Sequence, residues 1–103
     1  MSKFGLSGKM IAQPGKRDEL AAILTEAAAS MHAVPDCQIY VVSLLPDEPD
    51  AIWITEVWDN AEAHRASLAL EATQAMIARA KPLIAGFDQQ VKHVPLGGKG
   101  MRA

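Results

Sequence analysis

Cysteine is nearly absent from this sequence of 103 residues, which contains only Cys37. A single thiol cannot close an intrachain disulfide, and it supplies neither a redox pair nor a cysteine cluster for zinc. Long hydrophobic runs are also missing, because the longest nearly unbroken one, from Ile39 to Leu45, is far shorter than the ~18 residues of a membrane span. The first residues lack the hydrophobic region of a secretion signal, so we expect a soluble, cytoplasmic protein.

Clustered positive charge is missing as well. Ten lysine and arginine residues are spread from Lys3 to Arg102 against twelve acidic ones, and the formal net charge is -2. Binding to nucleic acids and to anionic membrane surfaces both require concentrated positive charge, so this distribution argues against both. Glycine-rich phosphate loops and the GxSxG nucleophile motif are also absent from the sequence. We therefore expect the partner to be a small molecule or another protein chain.

Histidine and carboxylate residues do not show the spacing of a metal site. His32, His64 and His93 lie on three different predicted elements, and no two of them are four residues apart on a helix. We interpret His32 as a cation at a helix C-terminus and His93 as a strand-surface residue. Cys37 opens a predicted strand, where a small buried hydrophobe is favoured over a nucleophile.

Two apolar patterns define the first part of the chain. Apolar residues recur with a period of two from Phe4 to Ala12, which predicts a half-buried strand. After the break at Pro14 and Gly15, apolar residues recur at helical spacing and predict one face of an amphipathic helix. The residues of this face are Leu20, Ile23, Leu24, Ala27, Ala28 and Met31.

The middle of the chain predicts an antiparallel hairpin. Residues 37–45 and 51–58 are rich in β-branched and aromatic side chains, and residues 46–50 form an acidic, proline-containing turn between them. Asp59, with Glu62 three residues later, resembles a capping box and predicts the start of a helix.

The last third of the sequence predicts helix followed by strand. An alanine- and leucine-rich helical region runs from about residue 60 to residue 80, with a break near Leu70 and an end or distortion at Pro82. Apolar and polar residues then alternate from Phe87 to His93, which predicts a last strand with one polar face.

The predicted order is β-α-β-β-α-β, which is the order of the ferredoxin-like α+β fold. This fold has a four-stranded antiparallel sheet with both helices on one face. We predict a single domain over residues 1–95 and a flexible tail over residues 96–103, which has little to bury.

The two middle strands are apolar on both sides, although the helices of such a fold cover only one face of the sheet. The second strand has Ile39, Val41 and Leu45 on one side and Tyr40, Val42 and Leu44 on the other, and the third has Ile52, Ile54 and Trp58 opposite Trp53 and Val57. A domain of this size has no further element to cover the second face. We therefore predict a homodimer that packs sheet against sheet and encloses an apolar space between the sheet and the partner.

Residues 56–67 resemble the signature of the antibiotic biosynthesis monooxygenase family, in which a strand ends with Glu-x-Trp and the following helix contains an EAH-like segment. The turn at residues 14–20 and the segment 81–86 are similar to the same family. The resemblance extends over roughly residues 4–95.

This resemblance implies a dimeric α+β barrel that oxidises quinol-like or polycyclic phenolic substrates with molecular oxygen. It also implies that no metal, flavin or nicotinamide cofactor is needed, since an electron-rich phenolate can itself reduce oxygen. The alternative from another functional class is a non-catalytic dimeric protein that binds small aromatic or lipophilic metabolites.

The resemblance identifies Trp58 and His64 as candidate catalytic residues. Trp58 matches a tryptophan that lines the substrate cavity in several family members, with core packing as the alternative. His64 is placed to act as a base or as a hydrogen-bond partner of a phenol, with a solvated or capping histidine as the alternative. Glu56 shares a strand face with Trp58 and is a candidate substrate-binding residue, with a dimer-interface ion pair as the alternative.

Tyr40 and Trp53 complete the candidate substrate-binding set, and each lines either the cavity or the helix-facing core. Haem-degrading relatives use an asparagine on the first strand and a later histidine on the second helix. This sequence has no asparagine near strand one and has Ser67 and Leu68 in the helix, so haem degradation is disfavoured.

Overall fold

The computed structural model describes residues 2–102. Seven main elements follow one another in the order strand, helix, strand, strand, helix, helix, strand. They are β1 (Phe4–Ala12), α1 (Arg17–Ser30), β2 (Cys37–Leu44), β3 (Ala51–Trp58), α2 (Ala61–Ser67), α3 (Glu71–Ala80) and β4 (Ile84–His93). Short 3-10 turns, Met31–Ala33 and Lys81–Leu83, follow α1 and α3.

The four strands form one sheet in the order β2-β3-β1-β4, and every neighbouring pair is antiparallel. β1 and β3 occupy the two central positions, because each of the two helix-containing connections passes over one strand before the chain re-enters the sheet. This topology confirms the predicted ferredoxin-like fold.

The core lies between α1 and the centre of the sheet. Leu20 and Leu24 of α1 are almost completely buried and pack in one cluster with Met10 of β1 and Ile52 of β3. The predicted apolar stripe of the first helix is therefore the side that faces the sheet. Burial of each such side chain contributes about 1.5–3 kcal/mol of transfer free energy.

The cap of α2 differs from the predicted one. The side chain of Asn60, not that of Asp59, accepts a hydrogen bond of 2.8 Å from the backbone N–H of Ala63. Asp59 instead accepts hydrogen bonds from Gln38 at 2.7 Å and Arg102 at 2.7 Å. The capping-box prediction was therefore wrong by one residue, because these two donors hold the Asp59 carboxylate.

The predicted break near Leu70 is confirmed, since α2 and α3 are separate helices and Leu70 has an extended backbone (φ -65°, ψ 141°). The last strand begins at Ile84, earlier than predicted. Gln89 forms a bulge with a φ of 52°, and it shifts the register between β1 and β4. As a result Phe87 opposes Met10 on the helix side, whereas Val91 opposes Ser7 on the other side.

We call the sheet face that points away from the helices the open face; its side chains include those of Ser7, Lys9, Ile39, Val41, Trp53, Val57 and Val91. The middle strands contribute apolar side chains to both faces, as predicted, and Val41 is 49% exposed. Lys9 pairs on this face with Glu48 at 2.7 Å. Sheet-to-sheet dimerisation stays a prediction.

The segment after β4 returns to the start of β2. Arg102 donates hydrogen bonds to the backbone carbonyl of Pro35 at 2.6 Å and to the carboxylate of Asp59, and its backbone N–H bonds to Gln38. The flexibility of this segment and the cytoplasmic location stay predictions. Within residues 2–102, no helix has the length and hydrophobicity needed to cross a membrane.

The Asn60 cap yields a stability prediction. Asn60→Ala is expected to lower the free energy of unfolding by about 1 kcal/mol, because the N–H of Ala63 loses its partner. Asn60→Asp keeps an acceptor oxygen and is expected to stay within a few tenths of a kcal/mol. Urea denaturation of both variants is the measurement, and equal stability of Asn60→Ala and wild type would contradict the assignment of the cap.

Candidate functional site

A cavity of about 630 Å³ lies between the sheet and α3, on the helix side of the sheet. The apolar space that we expected between the open face and a partner stays a prediction, and this cavity lies on the opposite side of the sheet. α3 contributes Met76, Ile77 and Ala80 to its lining, and the sheet contributes residues of β1, β3 and β4 together with Tyr40 of β2. Its main apolar lining consists of Leu6, Met10, Leu24, Ile54, Met76, Ile77, Ile84 and Phe87.

Glu56 supplies the one carboxylate of this lining, as far as the described residues show. Its side chain is only 12% exposed. The Oε1 atom accepts a hydrogen bond of 3.0 Å from the indole Nε1–H of Trp58, and the Nε2 atom of His64 lies 3.7 Å from the same oxygen. Both contacts go to Oε1, so Oε2 is the oxygen that is left for a ligand.

Trp58 and His64 both contact Glu56, but they are not among the described residues that line the cavity. Trp58 is 1% exposed, and its ring meets the His64 ring edge to face with centroids 5.7 Å apart. Phe4, which pairs with Trp58 across β1 and β3, packs on the other side of His64 at 4.9 Å. The rings of Phe4 and Trp58 therefore hold the His64 ring that approaches the carboxylate.

Tyr40 lies directly opposite Glu56 in the pairing of β2 with β3, and it lines the same cavity. Burial, and then the charge of Glu56, raise the pKa of the Tyr40 hydroxyl far above its ordinary value of 10. The hydroxyl therefore stays protonated at physiological pH and can donate a hydrogen bond to a ligand.

The electrostatics of the Glu56 and His64 pair are set mainly by burial. Burial raises the pKa of the Glu56 carboxyl above 4.5, and the indole hydrogen bond from Trp58 partly counteracts this. Burial also lowers the pKa of His64 below 6.5, with smaller contributions from the positive charges of Lys92 and Arg65. The site thus holds a carboxylate with increased basicity beside a neutral imidazole.

Trp53 lies apart from these residues. It alternates with Ile52 and Ile54 of the helix side, and its partners across the sheet are Lys9 and Ser43. Its side chain therefore belongs to the open face, not to the helix-facing core or to the described lining of the cavity. The structure brings together Tyr40, Glu56, Trp58 and His64 of the predicted set, and it separates Trp53 from them.

The sequence analysis did not predict that α3 contributes residues to the cavity. Met76, Ile77 and Ala80 line the cavity and recur at the spacing of one helix face, which was the available signal. The position of Phe87 at the cavity was not predicted for another reason. The bulge at Gln89 moves Phe87 to the helix side of the sheet.

A smaller cavity of about 270 Å³ lies on the other side of Tyr40, beside Cys37 and His32. Burial raises the pKa of the Cys37 thiol to about 11, so it is protonated at neutral pH. This is consistent with the interpretation of Cys37 as a small hydrophobe rather than a nucleophile. Within residues 2–102, no three histidine, cysteine, aspartate or glutamate residues form a group that could hold a metal ion.

A family model described as antibiotic biosynthesis monooxygenase matches residues 4–79. The chain belongs to this family. The sequence is 54% identical to a candidate antibiotic biosynthesis monooxygenase from Chloroflexus aurantiacus J-10-fl, with 98% of this chain and 100% of that chain covered and a TM-score of 0.90. The search of curated proteins gave no match.

More distant structures share the fold of the family. A candidate antibiotic biosynthesis monooxygenase from Caulobacter crescentus CB15 is 20% identical, with 95% of this chain and 92% of that chain covered and a TM-score of 0.79. Another from Bacteroides thetaiotaomicron VPI-5482 is 14% identical, with 95% and 93% covered and a TM-score of 0.83. At these identities the likeness concerns the fold alone.

The environment of Glu56 predicts how stability depends on pH in this family member. Because its pKa is higher in the folded chain than in the unfolded chain, protonated Glu56 stabilises the fold at low pH. That contribution is lost as the pH rises from about 4.5 through the folded pKa, by at most about 1.4 kcal/mol per pH unit.

Glu56→Gln removes this titration, so the variant is expected to gain stability relative to wild type as the pH rises through that window. Urea denaturation between pH 4 and pH 8 measures the difference, and Glu62→Gln at the exposed start of α2 is the control. A difference between Glu56→Gln and wild type that is constant with pH, or that has the opposite sign, would show that the Glu56 pKa is not raised.

Proposed function

We propose that the protein is a cofactor-independent monooxygenase that oxidises quinol-like or polycyclic phenolic substrates with molecular oxygen. Membership of the family supports a monooxygenase. The observation that carries the proposal is the buried carboxylate of Glu56 at an apolar cavity of about 630 Å³. An aromatic ring system fills such a cavity, and its hydroxyl group needs one polar partner inside it.

Glu56 is the base in this proposal. A carboxylate that is transferred into an apolar cavity gains basicity, because the charged form loses its hydration. Trp58 keeps the carboxylate in place through its indole N–H, and Tyr40 donates a hydrogen bond to a second oxygen of the substrate. Trp58 is therefore a positioning residue, while Glu56 and Tyr40 contact the substrate.

The reaction is balanced with oxygen as the oxidant. For an anthrone, Glu56 takes the hydroxyl proton of the phenolic tautomer, and the anion transfers an electron to oxygen. The two radicals combine to a carbon-bound peroxide, which takes up a proton. Loss of water from the hydroperoxide then gives the quinone, so one substrate and one O₂ yield one quinone and one water.

We also propose that the functional form is a homodimer joined through the open face. Support comes from the apolar side chains of β2, β3 and β4 on this face, among them Val41 at 49% and Val91 at 51% exposure. An apolar patch on an exposed sheet face is typical of a protein–protein contact surface. Because Trp53 lies on the open face, this proposal places its side chain in the dimer interface.

Oxygen uptake with 1,8-dihydroxyanthrone and with a panel of hydroquinones tests the activity. Wild type is expected to accelerate uptake of one oxygen per substrate, and Glu56→Gln to lower kcat/KM by about 100-fold because the base is lost. Trp58→Phe is expected to lower it about tenfold, because the ring remains but the N–H that orients Glu56 is lost.

Glu62→Gln is the matched control and is expected to keep the wild-type rate. Absence of turnover over the whole panel, together with ligand-induced increases in melting temperature, would contradict the proposal and support the binding-protein alternative. Equal rates for Glu56→Gln and wild type would reject Glu56 as the base.

Sedimentation velocity at micromolar concentration tests the dimer. Wild type is expected to sediment as a dimer, and Val41→Lys to shift it toward monomer, because a buried lysine in the interface is costly to desolvate. Ala29→Lys, on an exposed position of α1, is the control and is expected to leave the dimer unchanged. A monomeric wild type would overturn the proposal.

A further inference from the structure

His64 connects the buried carboxylate to the outside of the protein. Its Nε2 atom lies 3.7 Å from Oε1 of Glu56, and its side chain is 19% exposed. The described lining of the cavity includes Glu56 but not His64. Glu56 therefore lies between His64 and a ligand in the cavity, and His64 is itself partly exposed to solvent.

The geometry suits transfer of a proton rather than contact with a substrate. The gap between Nε2 and Oε1 must close by about 0.5–1 Å to form a hydrogen bond. The rings of Phe4 and Trp58, at 4.9 Å and 5.7 Å, hold the imidazole plane while leaving this approach open.

We propose that His64 is a proton relay, which accepts from Glu56 the proton that Glu56 takes from the substrate hydroxyl. This inference rests on the proposed function, and it replaces direct action of His64 on the phenol. The first transfer moves the proton from the substrate oxygen to Glu56, and the second moves it from Glu56 to Nε2 of His64. Glu56 is then again a carboxylate while the substrate anion reacts with oxygen.

The proton returns in the second half of the reaction. The carbon-bound peroxide takes up a proton from Glu56, and His64 returns to Glu56 the proton that it accepted in the first half. The overall stoichiometry is unchanged, because substrate and O₂ still give quinone and water. The relay changes only where the proton is held while the anion exists.

The charges that face His64 favour a relay over a permanent cation. Glu56 on β3 approaches from the cavity side, whereas Lys92 on β4 and Arg65 on α2 contribute positive charge. The cations destabilise imidazolium, and the carboxylate stabilises it only while Glu56 is ionised. Burial adds to the lowering of the His64 pKa below 6.5. A proton held on His64 is therefore readily passed on.

The first experiment separates the relay from oxygenation by excluding oxygen. Wild type and variants are mixed with 1,8-dihydroxyanthrone under anaerobic conditions, and the absorbance of its anion is followed by stopped flow. His64→Ala is expected to form the anion about tenfold more slowly than wild type. Added imidazole is expected to restore the rate, since it fits the space of the missing ring and carries a proton.

His32→Ala is the matched control, because His32 is an exposed histidine after α1, and it is expected to behave as wild type with or without imidazole. A wild-type rate for His64→Ala, or a lowered rate that imidazole does not restore, would overturn the relay. Anion formation with the expected His64 dependence but without oxygen uptake in air would support the relay and overturn the proposed monooxygenase.

The second experiment needs no ligand. Titration of the His64 ring protons by NMR is expected to give a lower midpoint in Glu56→Gln than in wild type, because the variant lacks the nearby negative charge. The midpoint in His32→Ala is expected to be that of wild type. Equal His64 midpoints in wild type and Glu56→Gln would show that the two groups do not share a proton path, and would overturn the relay even if the enzyme turns over.

Discussion

The hydrogen bond from the Trp58 indole to Glu56 is the interaction on which the site depends. A carboxylate with 12% side-chain exposure loses most of its hydration, and this donor replaces part of it at 3.0 Å. The bond also occupies Oε1, which His64 approaches as well, and so leaves Oε2 for a ligand. One side-chain pair two residues apart on β3 thereby fixes the orientation of the carboxylate and moderates the basicity that burial gives it.

The sheet makes that pair possible. Residues two apart on a strand point to the same face, and antiparallel pairing places Phe4 beside Trp58, Leu6 beside Glu56 and Tyr40 beside Glu56 on the other side. On the helix side of the sheet, apolar and aromatic side chains therefore surround the carboxylate of Glu56. The side chains of the helix side do not fill the space between the sheet and α3, and the cavity results.

Regular spacing explains which parts of the structure were predictable. The α1 stripe, the parity of Glu56 with Trp58 and the break at Leu70 depend on neighbours within a few residues, so periodicity and local backbone preference decide them. The Asn60 cap depended on competition for Asp59 from Gln38 and Arg102, which are remote in sequence. The face occupied by Phe87 depended on the bulge at Gln89, which the alternation of polar and apolar residues does not indicate.

The sequence by itself determined the ferredoxin-like order, the family and the two-sided apolar character of the middle strands, because each follows from local patterns and short motifs. Tertiary structure alone decided that the cavity lies on the helix side, that Trp53 lies on the open face, and that Glu56 separates His64 from the cavity. The physical reason is that a void is the difference between the space a backbone encloses and the volume its side chains fill. That difference depends on how α3, β1 and β4 meet, and no single segment encodes it.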